Sequence, residues 1–211
     1  MCWSVGVSLA TGIWSWTIAI YVYMRNASER DRWGAVFLLS FSTMQWAEAV
    51  LWMTMDGSHG DECSALNSWI GRHVMGPVLA LELVSSLYGS PTYRSEMVKL
   101  PRIALLHGLF ATSIALAPLF LIDCCTTITP HGHLLWWNRR ISLLPFTIFS
   151  IAIAAPSVAW MRPRSAMVVH SMMFVWATWL IGLLSDSNGS MWCLTANLYG
   201  MLLLVDPYIF K

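Results

Sequence analysis

Apolar runs of membrane-spanning length follow one another through almost the whole chain: 5–24, 34–55, 69–90, 102–122, 141–161, 166–185 and 190–210. A bilayer core is about 30 Å thick and an α-helix rises ~1.5 Å per residue, so roughly 20 apolar residues cross it. Lipid offers backbone amides and carbonyls no partners, which restricts spanning segments to helices or a closed barrel. The runs are continuous rather than alternating, and that selects helices. The predicted fold is all-α: one integral membrane bundle of seven transmembrane helices over residues 1–211, with loops too short to fold separately. Charge agrees, since 11% of the residues are charged against about 25% in a soluble domain.

The few charges also set an orientation. Arg25, Arg30 and Arg32 follow the first run, Arg94, Lys99 and Arg102 the third, Arg162 and Arg164 the fifth, and Lys211 ends the chain. With seven spans these lie on one side, which the positive-inside rule makes cytoplasmic. Asp56, Asp61, Glu62, the 123–140 loop and Asp186 fall opposite, with Arg72, Arg139 and Arg140 against the trend. The N-terminus is therefore expected outside or in a lumen. The start lacks a charged n-region and a small-residue cleavage site, so no removable signal peptide is expected. A net charge of +1 without a basic tract gives no reason to expect nucleic acid. Which membrane holds the protein is not encoded in these features.

Cys2, Cys63, Cys124, Cys125 and Cys193 all fall on the outer side, where disulfides can persist. Five is odd, and vicinal Cys124 and Cys125 are poorly placed to pair with each other, so at least one thiol stays free or pairs between chains. Some of the five can equally be small buried hydrophobes. Asn188-Gly189-Ser190 is an outward sequon set very close to the membrane. Of thirteen tryptophans, Trp3, Trp33, Trp52, Trp69, Trp136, Trp137, Trp160 and Trp192 fall near interfaces, as an aromatic belt would. Trp14, Trp16, Trp46, Trp176 and Trp179 lie deeper, where packing between helices is the simpler reading.

Three stretches carry a resemblance. The chain opens Met1-Cys2-Trp3-Ser4 with Ser8 and Gly12, has Gln45, Glu48 and Trp52 in a Gln-x-x-Glu-x-x-x-Trp arrangement, and opens its last run with Trp192-Cys193-Leu194. It resembles an uncharacterised family of small seven-helix membrane proteins that begin Met-Cys-Phe-Ser and share the second-span pattern and a Trp-Cys motif in the last span. Trp3 and Leu194 stand where that family has Phe. The resemblance implies the seven-helix fold and marks these residues, but it implies no activity.

Two polar constellations could carry chemistry. Towards the outer side, Glu48 lies ~12 Å inside the end of its span and Gln45 one turn deeper on the same face, while Arg72 and His73 open the third span. An intramembrane carboxylate is costly and needs a partner, so Arg72 or His73 is expected beside Glu48. The outcome is either an outward polar pocket for a solute, ion or proton, or a structural knot with a Cys2–Cys193 staple. Asn197 in the last span belongs with such a polar path. Towards the inner side, Glu82, His107 and His170 each lie roughly 7–12 Å deep. They are candidates for a proton relay, for a metal site or, for the histidines, for haem ligation. Lone histidines in bundles more often bond a backbone carbonyl. His131 and His133 form a weak His-x-His in a loop.

Other chemistries fit poorly. Retinal is not expected as a cofactor, because a Schiff base needs a buried lysine and Lys99 and Lys211 lie in a loop and at the terminus. The His-x-x-x-His pair of seven-helix zinc hydrolases of the ceramidase type is missing, as are an arginine-repeat voltage sensor and a phosphate-binding glycine loop. No inverted repeat is visible. Pro77, Pro118, Pro145 and Pro156 are expected to interrupt four spans. The reading that best covers the buried carboxylates is an ion or proton channel or a small-solute carrier, ahead of an enzyme. An accessory or scaffold subunit of a larger membrane complex is the first alternative, suggested by tiny loops and many tryptophans. An intramembrane metal-dependent enzyme is the second, and a ligand-binding receptor covers what is left. Expected partners are membrane lipid, further copies of the chain or other membrane subunits.

Overall fold

The computed structural model describes residues 4–55, 63–88, 95, 99–129, 132–138, 143–173 and 188–210. Helix α1, Val5–Arg25, starts where the Ser4 hydroxyl accepts from the Val7 N–H at 3.2 Å. It stops at Asn26, whose left-handed backbone (φ 45°) suits a helix C-terminus. Helix α2, Glu29–Met53, follows at once, capped by Ser28 and carrying Glu29 and Asp31 in its first turn, where the helix dipole favours anions. Next come α3 (Ala65–His73), α4 (Met75–Tyr88) and α5 (Pro101–Leu116), which ends in a 3-10 turn, Ala117–Phe120. Helices α6 (Leu143–Trp160), α7 (Arg164–Met172) and α8 (Asn188–Ile209) complete the described chain.

Helix α2 is the axis of the bundle, packed against α1, α4 and α8. Its buried side chains Trp33, Phe37, Leu38 and Phe41 meet Ile18, Leu83, Ile153, Tyr199 and Leu203 in the larger core cluster. A smaller cluster towards its other end joins Met44 and Leu51 to Ile70, Met75, Leu134 and Trp136. On α1 the buried face is Ser8, Gly12, Ser15, Ile18, Ala19 and Val22. Small residues let helix backbones approach closely where lipid supplies no hydrophobic drive between helices. A methyl placed at Gly12 would stand 3.1 Å from the Trp46 ring.

Three helical stretches among the described residues are long and apolar enough to cross a membrane: Val5–Arg25, Glu29–Met53 and Pro101–Phe120. The third expected span is instead two helices meeting at Val74. Pro77 explains the break, since it has no N–H to give the His73 carbonyl one turn back. The sixth run is described only through Met173. The fold is also not purely α. Strands β1 (Thr127–Ile128) and β2 (Leu134–Leu135) pair antiparallel, with Thr127 opposite Leu135 and Ile128 opposite Leu134. Pro118 lies where α5 gives way to the 3-10 turn, whereas Pro145 sits in the first turn of α6 and Pro156 lies within that helix without ending it.

The tryptophan layout needs correction as well. Trp33 and Trp136 are core residues, 1% and 4% exposed, and not a belt. Trp14 and Trp16, expected inside, are 47% and 38% exposed, because the α1 face that packs inward is the small-residue one. Depth along a helix says nothing about rotation around it. Trp3, Trp176 and Trp179 lie outside the described residues, as do the side chains of Trp160 and Trp192.

Candidate functional site

The polar interior falls into a layer near the C-terminal end of α2 and a network near its N-terminal end, called outer and inner after the expected orientation. The outer layer is a strap, described over residues 123–129 and 132–138, fastened over the ends of α2 and α3. A disulfide joins Cys63 to Cys125 with Cα atoms 5.9 Å apart. Asn67 on α3 and Thr126 bond reciprocally: the Asn67 Nδ2 donates to the Thr126 carbonyl at 3.0 Å, and the Thr126 N–H donates to Asn67 Oδ1 at 2.8 Å. Gly71 makes room, since a methyl there would collide with the Cys124 carbonyl. The strap then turns at Trp137, which holds a left-handed backbone (φ 56°). That turn aims two successive indoles differently. Trp137 donates to the Gly71 carbonyl at 2.7 Å, and Trp136 donates to Glu48 Oε1 at 3.1 Å inside the core.

Glu48 is fully buried on α2, as is Gln45 one turn away. Arg72 and His73 do not form an ion pair with Glu48: Arg72 is half-buried, while His73 is exposed and lies against Trp69, ring centroids 5.6 Å apart. The expected partner was assigned by depth, and the strap supplied a neutral donor that depth could not reveal. Cys2 and the Cys193 side chain lie outside the described residues, so their pairing does too. Cys124 is a buried free thiol donating to the Pro118 carbonyl at 3.2 Å. Asn197 on α8 accepts from the Ser15 hydroxyl of α1 at 3.2 Å.

The inner network joins four elements. His170 on α7 is fully buried, with Nε2 3.0 Å from Asp206 Oδ1 and Nδ1 3.2 Å from the Tyr199 hydroxyl, both on α8. A carboxylate accepts only, so Nε2 carries the proton; in the neutral ring Nδ1 then accepts from Tyr199. Arg30 on α2 donates through Nε to Asp206 Oδ2 at 3.0 Å. Its other nitrogens reach the carbonyls of Arg162 and Phe210, both at 2.7 Å. Nearby, Arg25 grips Asp31 at 2.9 and 3.0 Å and donates to the Leu203 and Leu204 carbonyls. These arginines serve two needs together. They neutralise buried carboxylates, and they reach two carbonyls short of a helical donor: Leu203, whose usual donor is the N–H that Pro207 lacks, and Phe210, just past the end of α8. Aromatic rings close the site: Trp33 stacks on Phe37 at 5.6 Å and meets Tyr199 edge-on at 6.4 Å.

Only one member of the expected inner cluster takes part. Glu82 is buried on α4, as anticipated, but neither histidine is its partner. His107 bonds the Leu83 carbonyl at 2.8 Å, and His170 turns to Tyr199 and Asp206. Glu82, His107 and His170 do not converge on a metal; among the described residues no group of three or more His, Cys, Asp or Glu side chains does. His131 lies outside the described residues, and the backbone N–H of His133 is bonded within the hairpin, to Thr129 Oγ1 at 3.1 Å. Asp206, Tyr199, Arg30 and Trp136 were missed from sequence. Asp206 carried a usable signal: a carboxylate inside the last apolar run, at the end of the bundle richest in arginine.

The sequence matches no family model, and no curated protein or solved structure is significantly similar to it.

Proposed function

We propose that this chain is a seven-span membrane protein, N-terminus outside or lumenal and C-terminus cytoplasmic, that moves protons or a small polar solute through its bundle. The observation that carries the reading is the buried file Tyr199–His170–Asp206–Arg30. Ionisable side chains among apolar helices are expensive, and carboxylate–histidine chains are a recurrent form of proton relay. An imidazole bonded at both nitrogens can take a proton on one side and release one on the other. Asp206 stabilises the imidazolium that forms in between, and Tyr199 is the donor or acceptor on the far side. Arg30 closes on the same carboxylate and, 15% exposed, stands at the inner mouth of the file. The resemblance to the Met-Cys-Phe-Ser family fits the seven-span part of this reading.

Proton flux into proteoliposomes decides it. Wild-type protein should acidify the lumen under an imposed gradient, and His170→Gln and Asp206→Asn should each abolish that flux. Wild-type flux no greater than that of empty liposomes would reject the relay and favour an accessory subunit. That second reading has its own observation: Leu105, Leu106, Leu109 and Phe120, on α5 and the 3-10 turn after it, are 55–83% exposed, an apolar surface for lipid or for another membrane subunit.

A further inference from the structure

Among the described residues one disulfide, Cys63–Cys125, ties the strap to the helices, and its two ends differ. Cys63 is exposed and stands just before Ser64, which caps the N-terminus of α3. Cys125 is 8% exposed, and its neighbour Cys124 is buried and turned to the Pro118 carbonyl. An incoming thiolate therefore meets the Cys63 sulfur, with Cys125 as the leaving group.

The hairpin register shows what the disulfide holds. Thr127 lies opposite Leu135, so Cys125, two residues before Thr127, and Trp136, one residue after Leu135, stand together at the open end of the hairpin. From there the strap sends Leu134 and Trp136 into the smaller core cluster, and the Trp136 indole donates to the buried Glu48 carboxylate. The other described ties are light: the short strand pair, the reciprocal Asn67–Thr126 bonds and the Trp137 bond to the Gly71 carbonyl. Two-stranded hairpins hold poorly alone, and segments with few buried contacts open locally before the rest of a fold does. The larger core cluster and the inner network draw no described residue from the strap.

We propose that the Cys63–Cys125 disulfide is a redox-sensitive latch that keeps Glu48 sealed and that a dithiol opens. One thiolate of the dithiol attacks Cys63 Sγ, the Cys63–Cys125 bond breaks, and the Cys125 thiolate leaves and takes up a proton. The second thiol of the dithiol then attacks the mixed disulfide and frees the Cys63 thiol. The dithiol ends as a disulfide; its two electrons and two protons are now on the two cysteines. With the covalent tie gone, the strap rests on its hydrogen bonds and short strands, opens locally, and lets water and small reagents reach Glu48. The latch acts on the outer layer and stands whether or not the inner file carries protons.

Carboxylate labelling tests it on the wild-type protein in lipid nanodiscs. Oxidised protein, and protein reduced with dithiothreitol and then freed of excess reductant, are treated with a water-soluble carbodiimide and glycine ethyl ester. Mass spectrometry reads the modified positions. Labelling of Glu48 should be about tenfold greater in the reduced protein, which is ~1.4 kcal/mol in the opening equilibrium. Glu82 and Asp206 should stay unlabelled in both states. Cys63→Ser should match the reduced wild type without any reductant. A change in Glu48 labelling below about twofold overturns the latch, and so does a Cys63→Ser variant that stays as sealed as the oxidised protein. Labelling of Glu82 and Asp206 together with Glu48 on reduction overturns it too, because the opening would then be general unfolding and not release of the strap.

Discussion

His170 Nε2 and Asp206 Oδ1 stand 3.0 Å apart with both side chains buried, and Arg30 closes on the same carboxylate from α2. The arrangement makes three helices mutually dependent. Breaking a buried pair by removing one partner typically costs about 3–5 kcal/mol, because the other charge is stranded. Asp206→Asn should therefore destabilise the protein by that order, and Arg30→Ala similarly. The double variant should cost less than the sum of the two, since neither charge is then left alone. Unfolding in mixed micelles, followed by tryptophan fluorescence, measures the cycle; additive losses would mean that the two side chains do not share one interaction.

The strap makes a separate prediction. Cys63 and Cys125 are 62 residues apart, and closing a loop of that size in a free chain stabilises by about 4 kcal/mol. On the proposed seven-span reading the helices between them remain inserted in lipid when tertiary contacts are lost, so the paired Cys63→Ser, Cys125→Ser variant should lose only about 1–2 kcal/mol. Trp136→Phe removes the indole donor from a buried carboxylate and should cost about 1.5–3 kcal/mol. After reduction, a membrane-impermeant maleimide should reach Cys63 from the outer side of oriented vesicles and from that side alone. Labelling of Cys63 from the cytoplasmic side would reverse the proposed orientation.

Two glycines should respond in opposite directions. A methyl at Gly71 meets the Cys124 backbone, which cannot swing aside like a side chain, so Gly71→Ala should cost about 1–3 kcal/mol by overpacking. It should also raise the reactivity of the buried Cys124 thiol by loosening the strap. At Gly108, on the exposed helix α5, nothing lies within 4 Å of the added methyl. Gly108→Ala should be neutral or stabilise by about 0.5–1 kcal/mol through helix propensity. Thermal unfolding of the two variants side by side checks the contrast.

How much of this was legible follows from what each signal encodes. The first two spans and the fourth are read from length and apolarity alone, and α1, α2 and α5 stand where those runs predict. Burial of Glu48 and Glu82 follows from depth, and both are buried. Partners do not follow from depth. Which face of α8 meets α7 decides that His170 finds Asp206 and not Glu82, and rotation about a helix axis leaves little trace in a nearly uniform apolar sequence. Trp136 reaches Glu48 only because the strap is tied to α3 and turned at Trp137, a tertiary outcome of several weak local choices.

Glu82 supplies the sharpest test of the revised arrangement. If the relay ran through the expected cluster, neutralising Glu82 would stop it, since the carboxylate would be the histidines' partner. In the structure His107 is engaged by the Leu83 carbonyl and His170 by Asp206 and Tyr199. Glu82→Gln keeps the side chain's size, so it should leave the Tyr199–His170–Asp206 file in place. Proteoliposome flux should therefore stay within about twofold of wild type for Glu82→Gln, a difference under ~0.5 kcal/mol in barrier. The same assay should lose its signal for His170→Gln. A Glu82→Gln variant that folds, shows unaltered unfolding, and yet conducts no protons would return the path to Glu82 and remove it from the α7–α8 network.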